Sequence, residues 1–535
     1  MNTENTFSFK IKPIAVVIQL AFAGGMMTGE VQAQSCQDST CTIGGNYTTG
    51  IDLSRFAGKD GSQNKDPNVR KGKSGSPVSL GTSADTVITQ RNNAPALQIN
   101  TRGGNGAPQA NGVVKHGGAG ANAGSVNVNF NHDITVNAAG KGLLINAKGG
   151  HAAGASVDGN KTPGGAGANV TVNLAPSSRF TANTHPAQGS AGLGGEVIDI
   201  DSSGGHGVLG MSGAFSVEDG SDGGKGGNVL LNMSGQLAMQ NDQASLIRII
   251  SNGGDGGRVS NATSFVSHRA GYAGDGGDQT VNLGHTQHTS TLISHGSNAA
   301  TVSMSSQGGK GGNAQKGSFG SRLASNGGKG GQLTLDLKNV NIKTSQAQSS
   351  AIALESVGGV GGGPGDGGNK NAKLRGDGGA GGDLAVSTDT STRIQTVGQN
   401  SDGIYAASLG GGGSRGHSGA ITSTNGAQGG KGGAIVINNQ ASISTLGKGA
   451  QAIYAESSGG SSGDGGGAAI NFIARGSSGG RAGLGGNVTV NQKGGTLETA
   501  GDDSHVIVAQ SIGGTRGEMV DADFTADNTQ KVYAL

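Results

Sequence analysis

One tripeptide in this chain has the charge pattern of a receptor-binding motif. Arg375-Gly376-Asp377 holds a cation and an anion on either side of a glycine, within a glycine-rich stretch. On an exposed bend, two such side chains could bridge the acidic groove and the metal ion of an integrin-type receptor. Coincidence is the alternative, because glycine and charged residues often adjoin here. The motif therefore predicts a receptor site only if the bend is exposed.

A second motif resembles part of a calcium-binding repeat. Calcium nonapeptides need tandem Gly-Gly-x-Gly-x-Asp units, and residues 378–383 match one unit in full. The equivalent positions in other copies are Asn228, Gln332, Ala434 and Asn487, which interrupts the ligand series. We therefore predict no metal site, no cofactor and no catalytic residue.

The composition limits the fold that could position these residues. Glycine accounts for 109 of 535 residues, aromatic residues for 3% and proline for 9 positions. A helical domain is excluded, since glycine costs roughly 1 kcal/mol per site in a helix. Collagen is excluded by the lack of a Gly-X-Y period. With 33% hydrophobic residues, the chain is either disordered or places its few large apolar residues with unusual regularity.

A repeat of about fifty residues provides that regularity. Each of nine copies within residues 78–517 holds three short apolar segments with the alternation of a half-buried strand. The first copy has Val78, Val87 and Leu97 in these places. The later copies form two clear columns, Val229, Val281, Leu333, Leu384, Ile435 and Val488 for the first strand, and Ile247, Val302, Ile352, Ile404, Ile453 and Ile507 for the third. Three strands and two bends per copy predict an all-β solenoid, a parallel β-helix whose turns stack these columns.

Serine follows the third-strand column at a fixed offset of four residues. We predict a ladder of aligned hydroxyls at a bend, bonding from turn to turn; its members are Ser202, Ser251, Ser306, Ser356, Ser408, Ser457 and Ser511. The glycines that follow are expected to allow positive φ at the corner. Beyond them, the Gly-Gly-x-Gly-Gly stretches are either flexible loops or extended polyglycine-like helices packed against the rod, and the sequence does not decide between the two.

The N-terminus has the features of an export signal. Basic Lys10 and Lys12 precede an apolar run, and small residues at the end of the segment predict a signal peptide over 1–33 with cleavage between Ala33 and Gln34. An N-terminal membrane anchor is the alternative, although the run is short for a span. No later apolar stretch is long enough for a transmembrane helix in the mature chain.

In an oxidising compartment, the two cysteines, Cys36 and Cys41, are expected to form a disulfide loop within an N-terminal cap over 34–77.

The phrases at residues 452–457 and 509–514, together with the signal and the repeat, resemble the glycine-rich passenger regions of Gram-negative autotransporters. This resemblance implies a right-handed parallel β-helix, exported to the cell surface (outer membrane) or released, and serving adhesion or aggregation. Such proteins end in a membrane β-barrel, which is not visible in this sequence. We therefore expect a separate export partner or a missing C-terminal barrel, with residues 518–535 as a tail or a truncated end.

The predicted function is that of a non-catalytic, exported surface protein acting in adhesion or cell aggregation. Its expected partner is a host-cell or bacterial surface ligand, or another copy of the chain; a net charge of +2 gives no bulk attraction to nucleic acid. A β-helix polysaccharide lyase or glycosidase is one alternative, and an unstructured glycine-rich secreted protein is the other. Against an enzyme, the outward third-strand positions hold no acidic cluster; they are Arg248, Ser303, Ala353, Tyr405, Tyr454 and Val508.

Overall fold

The computed structural model describes residues 35–518 except for twelve interruptions, at 65, 110–116, 155–161, 186–194, 211–218, 260–261, 264–267, 315–316, 320–321, 365–374, 418–422 and 468–476. The predicted signal peptide, its cleavage site between Ala33 and Gln34 and the end of the chain after Glu518 lie outside the described residues. In the described part, no helix has the length and apolar character needed to cross a membrane.

The chain forms a parallel β-helix in which each turn supplies one strand to each of three stacks. The first stack consists of Thr40–Tyr47, Val78–Gln90, Val126–Phe130, Val170–Leu174, Val229–Met233, Gln279–Leu283, Leu333–Leu337, Leu384–Thr388, Ile435–Asn439 and Val488–Gln492. The second stack consists of Ile134–Ala138, Phe180–Thr184, Gly235–Met239, Ser290–Ser294, Val340–Thr344, Arg393–Thr396, Ser442–Thr445 and Leu497–Thr499. The third stack consists of Ile51–Leu53, Leu97–Asn100, Leu143–Asn146, Ile198–Asp201, Ile247–Ile250, Val302–Gln307, Ile352–Val357, Ile404–Leu409, Ile453–Ser458 and Ile507–Ile512.

The first and second stacks belong to one sheet of 19 strands, and the third stack is a sheet of 10 strands. They are joined because the two longest strands, Thr40–Tyr47 and Val78–Gln90, run through both stacks. The remaining elements are short: strands Ser35–Gln37, Ala262–Thr263, His268–Arg269, Gly317–Phe319 and Arg322–Leu323, a 3-10 turn Ser54–Phe56 and a helical turn Pro67–Arg70. The predicted fold class, an all-β parallel β-helix, is confirmed.

The N-terminal segment does more than cap the coil. Ile51–Leu53 pairs in parallel with Leu97–Asn100, so this segment contributes a tenth turn in front of the nine repeats. A disulfide joins Cys36 to Cys41 across a small antiparallel pair of strands, and Cys41 is fully buried. The disulfide therefore fastens strand Ser35–Gln37 to the end of the hydrophobic core.

The predicted apolar columns lie inside the coil. Ile352, Ile404 and Ile453 are paired in register in adjacent turns, and each is 0% exposed. The column ends at the last described turn, where Ile507 is 41% exposed and Val488 is only partly buried. Both residues lack a following described turn to cover them. Each strand buries only its two or three inward side chains, as Leu333–Leu337 does with Leu333, Leu335 and Leu337, which explains how so few apolar residues suffice.

Two residues assigned to the columns from the sequence do not occupy the positions predicted for them. In the long strand Val78–Gln90 the residue that faces the core is Ile88, at 0% exposure, and Val87 is its outward neighbour. Val281 is buried but pairs with Leu231 and not with Val229, because Gln279 occupies the Val229 position. The buried Gln279 amide donates to the carbonyl oxygen of Ser305 at 2.6 Å. A column defined by apolar residues alone does not include this polar member.

The described parts of the glycine-rich stretches form two layers, which we call the glycine slab. The outgoing layer follows the third strands and contains segments 101–107, 147–153, 202–210, 251–259, 308–314, 358–364, 410–417, 459–467 and 513–518. The returning layer leads to the next first strand and contains segments 117–125, 162–169, 219–228, 270–278, 324–332, 375–383, 423–434 and 477–487. Of the two possibilities left open by the sequence, extended polyglycine-like packing is the one observed.

Hydrogen bonds in the slab repeat every three residues, the period of a polyproline-II-type chain. Within one outgoing segment, the N–H of Gly253 donates to Gln307 of the next turn at 2.7 Å, and that of Gly254 donates across the slab to Gly224 at 2.8 Å. The N–H of Asp255 points outward, and the pattern then starts again with Gly256. Two residues of every three therefore lie between chains, and the third faces solvent.

Close backbone approach is the reason for glycine at the inward positions. A Cβ added to Gly254, Gly309 or Gly359 would lie closer than 3.0 Å to a carbonyl oxygen of a neighbouring segment. The expectation of positive φ at the corners was wrong: among the described glycines, positive φ occurs at 45, 154, 235, 284, 449 and 495, outside the Gly-Gly pairs that follow the serines. Glycine is required here for the space that it leaves, not for left-handed backbone.

Candidate functional site

The receptor-like tripeptide lies within the glycine slab and not on a bend. The N–H of Gly376 donates to the carbonyl oxygen of Gly362 at 2.9 Å, and a Cβ at Gly376 would overlap the backbone of Ser325. Asp377 is half-buried, and its carboxylate accepts a hydrogen bond from the backbone N–H of Gln428 at 2.9 Å. The exposed bend expected for Arg375-Gly376-Asp377 is therefore not what the chain forms.

The aspartate of the calcium-like unit has the same structural role. Asp383 accepts from the backbone N–H of Ala434 at 2.7 Å, and Asn228 accepts from that of Asp278 at 3.0 Å. In both cases the acceptor binds the outward N–H of the equivalent residue one turn later. Such an N–H has no acceptor within the slab, so an Asp or Asn at the outward position satisfies it. This explains the interchange of Asp and Asn that breaks the calcium pattern.

Two histidines fill the same place on the outgoing layer. His151 Nδ1 accepts from the N–H of His206 at 3.1 Å, and His206 Nδ1 accepts from that of Asp255 at 2.8 Å. The two rings stack with centroids 4.8 Å apart. Burial, then the neighbouring charges of His206 and Lys148, lowers the pKa of His151 below its usual range. Among the described residues, no group of three His, Cys, Asp or Glu side chains is arranged to hold a metal ion.

The serine ladder joins the third stack to the glycine slab. Ser202, Ser251, Ser306, Ser356, Ser408 and Ser457 are each fully buried, whereas Ser511, in the last described turn, is exposed. The Ser356 hydroxyl donates to the carbonyl oxygen of Gly331 at 2.8 Å and accepts from the N–H of Gly382 at 2.9 Å. The hydroxyls thus bond to backbone groups and not to one another; most of these groups belong to glycines, but the Ser306 hydroxyl also donates to the carbonyl oxygen of Ser251, one turn earlier, at 3.0 Å.

A buried charged cluster lies along the third stack in the second to fourth repeats. Of its members, the outward positions considered in the sequence included only Arg248. Asp199 is 2% exposed and Glu196 10%. Lys141 Nζ lies 3.0 Å from Glu196 and also contacts Asp199, while Arg248 contacts both carboxylates at 3.1 Å. Burial opposes the charge on Lys141, but Asp199 and Glu196 outweigh it and raise the pKa of Lys141. Two cations compensate two anions, so this pair of carboxylates is an ion-pair network.

The outward face of the third stack carries the other cluster of chemically useful groups. Tyr405 and Tyr454 stack in adjacent turns with centroids 5.4 Å apart and ring planes 8° apart. Tyr454 donates its hydroxyl to Glu456 at 2.6 Å, and Gln510 donates to the Tyr454 oxygen at 2.7 Å. Burial and the bond to Glu456 raise the pKa of Tyr454 to about 12, so the phenol stays protonated.

Glu355 and Tyr405 differ from this closed network. Glu355 is exposed, Tyr405 is half-buried, and neither side chain has a hydrogen bond or ion pair to the described residues. We call the group Ser303, Ala353, Glu355, Tyr405, Tyr454, Glu456 and Gln510 the tyrosine face. Sequence analysis placed both tyrosines outward but did not predict that the rings would stack or that Glu355 would flank them.

Comparisons with known proteins add no assignment: no family model matches the chain, and no match was found among curated proteins or solved structures.

Proposed function

We propose that this chain is a non-catalytic, exported surface protein whose β-helix serves as a stiff carrier for adhesion or cell aggregation. The observation that carries the proposal is that several carboxylates form hydrogen bonds or ion pairs within the β-helix itself. Asp377 and Asp383 hold backbone N–H groups of the next turn, and Asp199 is neutralised by Lys141 and Arg248. A general acid or base needs a group free to exchange a proton with substrate, and these carboxylates are already engaged.

The disulfide supports export. A disulfide between Cys36 and Cys41 persists in an oxidising compartment and is rare in the cytosol. The autotransporter-like character of the repeat remains part of the proposal, as does surface attachment. A coil of repeated turns is suited to hold an adhesive surface away from the cell. Each turn contacts only its neighbours, so adding turns lengthens the coil without requiring a new core.

Beads coated with the purified full chain test the proposal. We expect them to aggregate or to attach to bacterial or host cells, whereas beads coated with an Ile352→Asp variant should not, because a buried charge disrupts the core that positions the surface. A coated bead that neither aggregates nor attaches to any cell type would contradict an adhesive role.

An activity assay separates the carrier from a carbohydrate-active enzyme. The full chain is incubated with a panel of polysaccharides, and reducing ends and unsaturated products are measured. We expect no release above that of a heat-treated sample. Release that disappears in an Asp199→Asn variant would replace the proposal with a catalytic function at the Lys141–Asp199 cluster.

A further inference from the structure

We propose that the tyrosine face is a binding site for a neutral oligosaccharide, in which one sugar ring stacks on Tyr405. This inference rests on the proposed adhesive function and names the ligand class that the surface would bind. It is carried by the arrangement of the third stack between Val302 and Ile512.

The Tyr405 ring is half-buried and has different neighbours in the two adjacent turns. Tyr454 stacks on it from one turn later. One turn earlier the paired residue is Ala353, and the turn before that has Ser303 in the same column. Strands in a stack are about 4.8 Å apart, so a methyl group followed by a hydroxymethyl group leaves a notch beside the Tyr405 ring. The width of two such turns accommodates one pyranose ring against the aromatic face.

Hydrogen-bonding groups flank this notch on the same surface. Glu355 lies two residues beyond Ala353 on the same strand and is exposed, with no partner among the described residues. Ser303 supplies a hydroxyl, and Tyr405 supplies a phenol whose pKa is raised by burial and by Glu355. An apolar ring face bordered by a carboxylate and hydroxyls matches a sugar, which has one C–H face and a rim of hydroxyl donors.

The negative charge of the tyrosine face favours neutral carbohydrates over anionic ones. The only charged residues in the five third-stack strands from Val302 to Ile512 are Glu355 and Glu456. A sulfated or carboxylated glycan would meet two carboxylates and no cation on these strands, which opposes its binding. Neutral oligosaccharides avoid this repulsion, and their hydroxyls can donate to Glu355.

Calorimetric titration of the full chain tests the site. The probes are cellohexaose, chitohexaose and maltohexaose, which are neutral and differ in linkage, with a heparin hexasaccharide as the anionic comparison. We expect at least one neutral probe to bind and the heparin fragment to bind more weakly. Tyr405→Ala should lower that affinity about tenfold or more, the effect of losing an aromatic contact of about 1.4 kcal/mol. Tyr405→Phe should retain most of the affinity, because it keeps the ring.

Two further variants keep the test decisive. Ala353→Arg, at an outward position, should fill the notch and reduce binding even if Tyr405→Ala does not fold. Tyr272→Ala is the matched control, since Tyr272 is 50% exposed but belongs to the glycine slab, beside Arg269. Binding that survives both Tyr405→Ala and Ala353→Arg, no binding of any neutral probe at millimolar concentration, or tighter binding of heparin would each overturn the inference.

The bead assay separates this inference from the function on which it rests. If Tyr405→Ala beads still attach and no neutral probe binds, adhesion stands and the sugar site fails. If a neutral probe binds at Tyr405 but wild-type beads neither attach nor aggregate, the site stands and the adhesive role fails.

Discussion

The carboxylate of Asp377 accepts a hydrogen bond at 2.9 Å from the backbone N–H of Gln428, one turn further along the coil. The relationship recurs through the glycine slab with Asp, Asn or His as the acceptor. It satisfies the outward N–H that a polyproline-II-type segment cannot bond internally. The aspartate of the receptor-like tripeptide therefore also forms a hydrogen bond between two adjacent turns.

Substitution of Asp377 separates these two roles. Asp377→Ala should lower the protection of the Gln428 amide about fivefold in hydrogen exchange, the effect of losing roughly 1 kcal/mol of hydrogen-bond stabilisation. Asp377→Asn should retain the protection, because Asn326 accepts from the Asp377 N–H in the same way at 2.9 Å. We expect Asp377→Asn beads to attach to cells as the wild type does; a loss of attachment in this folded variant would support receptor binding.

Substitution of slab glycines distinguishes close packing from backbone flexibility. Gly359→Ala places a Cβ against the carbonyl oxygen of Gly309, and we expect it to destabilise the local turns by about 3 kcal/mol. Gly412→Ala is the matched control, since the nearest atoms to its Cβ lie 3.7 Å away; it should be neutral or stabilising by about 0.5 kcal/mol. Denaturant unfolding followed by circular dichroism measures both. Equal effects of the two variants would contradict the packing explanation.

The histidine stack should make the slab weaker in acid. His151 Nδ1 accepts a backbone hydrogen bond and therefore needs the neutral ring, and burial with the charges of His206 and Lys148 lowers the pKa of His151. Since the unfolded state binds a proton more readily, the contribution of His151 is fully present above its unfolded pKa of about 6.5 and declines as the pH falls through the lower folded value. Unfolding free energies at several pH values between neutral and mildly acidic measure this decline.

His151→Asn is the control for that pH dependence. Asn105 already accepts from the N–H of His151 at 2.8 Å, so an asparagine can occupy this position in the ladder without a titratable group. We expect the variant to lose part of the decline in acid and to keep its stability near neutral pH. An unchanged pH profile would show that His151 does not contribute to it.

Removal of a buried carboxylate should cost more than removal of an exposed one. Asp199→Ala leaves Lys141 and Arg248 without one of their partners, and we expect a loss of about 3 kcal/mol in unfolding free energy. Asp503→Ala removes an ion pair with Lys448 whose side chains are 77% and 61% exposed, and the expected loss is below about 0.5 kcal/mol. Comparable losses would mean that the cluster at Asp199 is not a compensated network.

Periodicity in the primary structure determined the architecture of this protein. Ile352, Ile404 and Ile453 recur at nearly constant spacing, and a column of this kind can be buried only if the turns superimpose. The pairing of Cys36 with Cys41 was accessible in the same way, because two cysteines five residues apart have few other partners. These inferences need only the order of residues along the chain.

Tertiary structure decided the features that depend on neighbours from other turns. The place of Gln279 in an apolar column, the burial of Asp199 between Lys141 and Arg248, and the pairing of Tyr405 with Ala353 each involve residues about fifty positions apart. The same holds for Gly359, whose need for space arises from the carbonyl oxygen of Gly309. The local alternation of apolar and polar residues is enough to predict a strand and its inward face. Contacts between turns form only when the turns of the folded coil are stacked, so the local sequence does not reveal them.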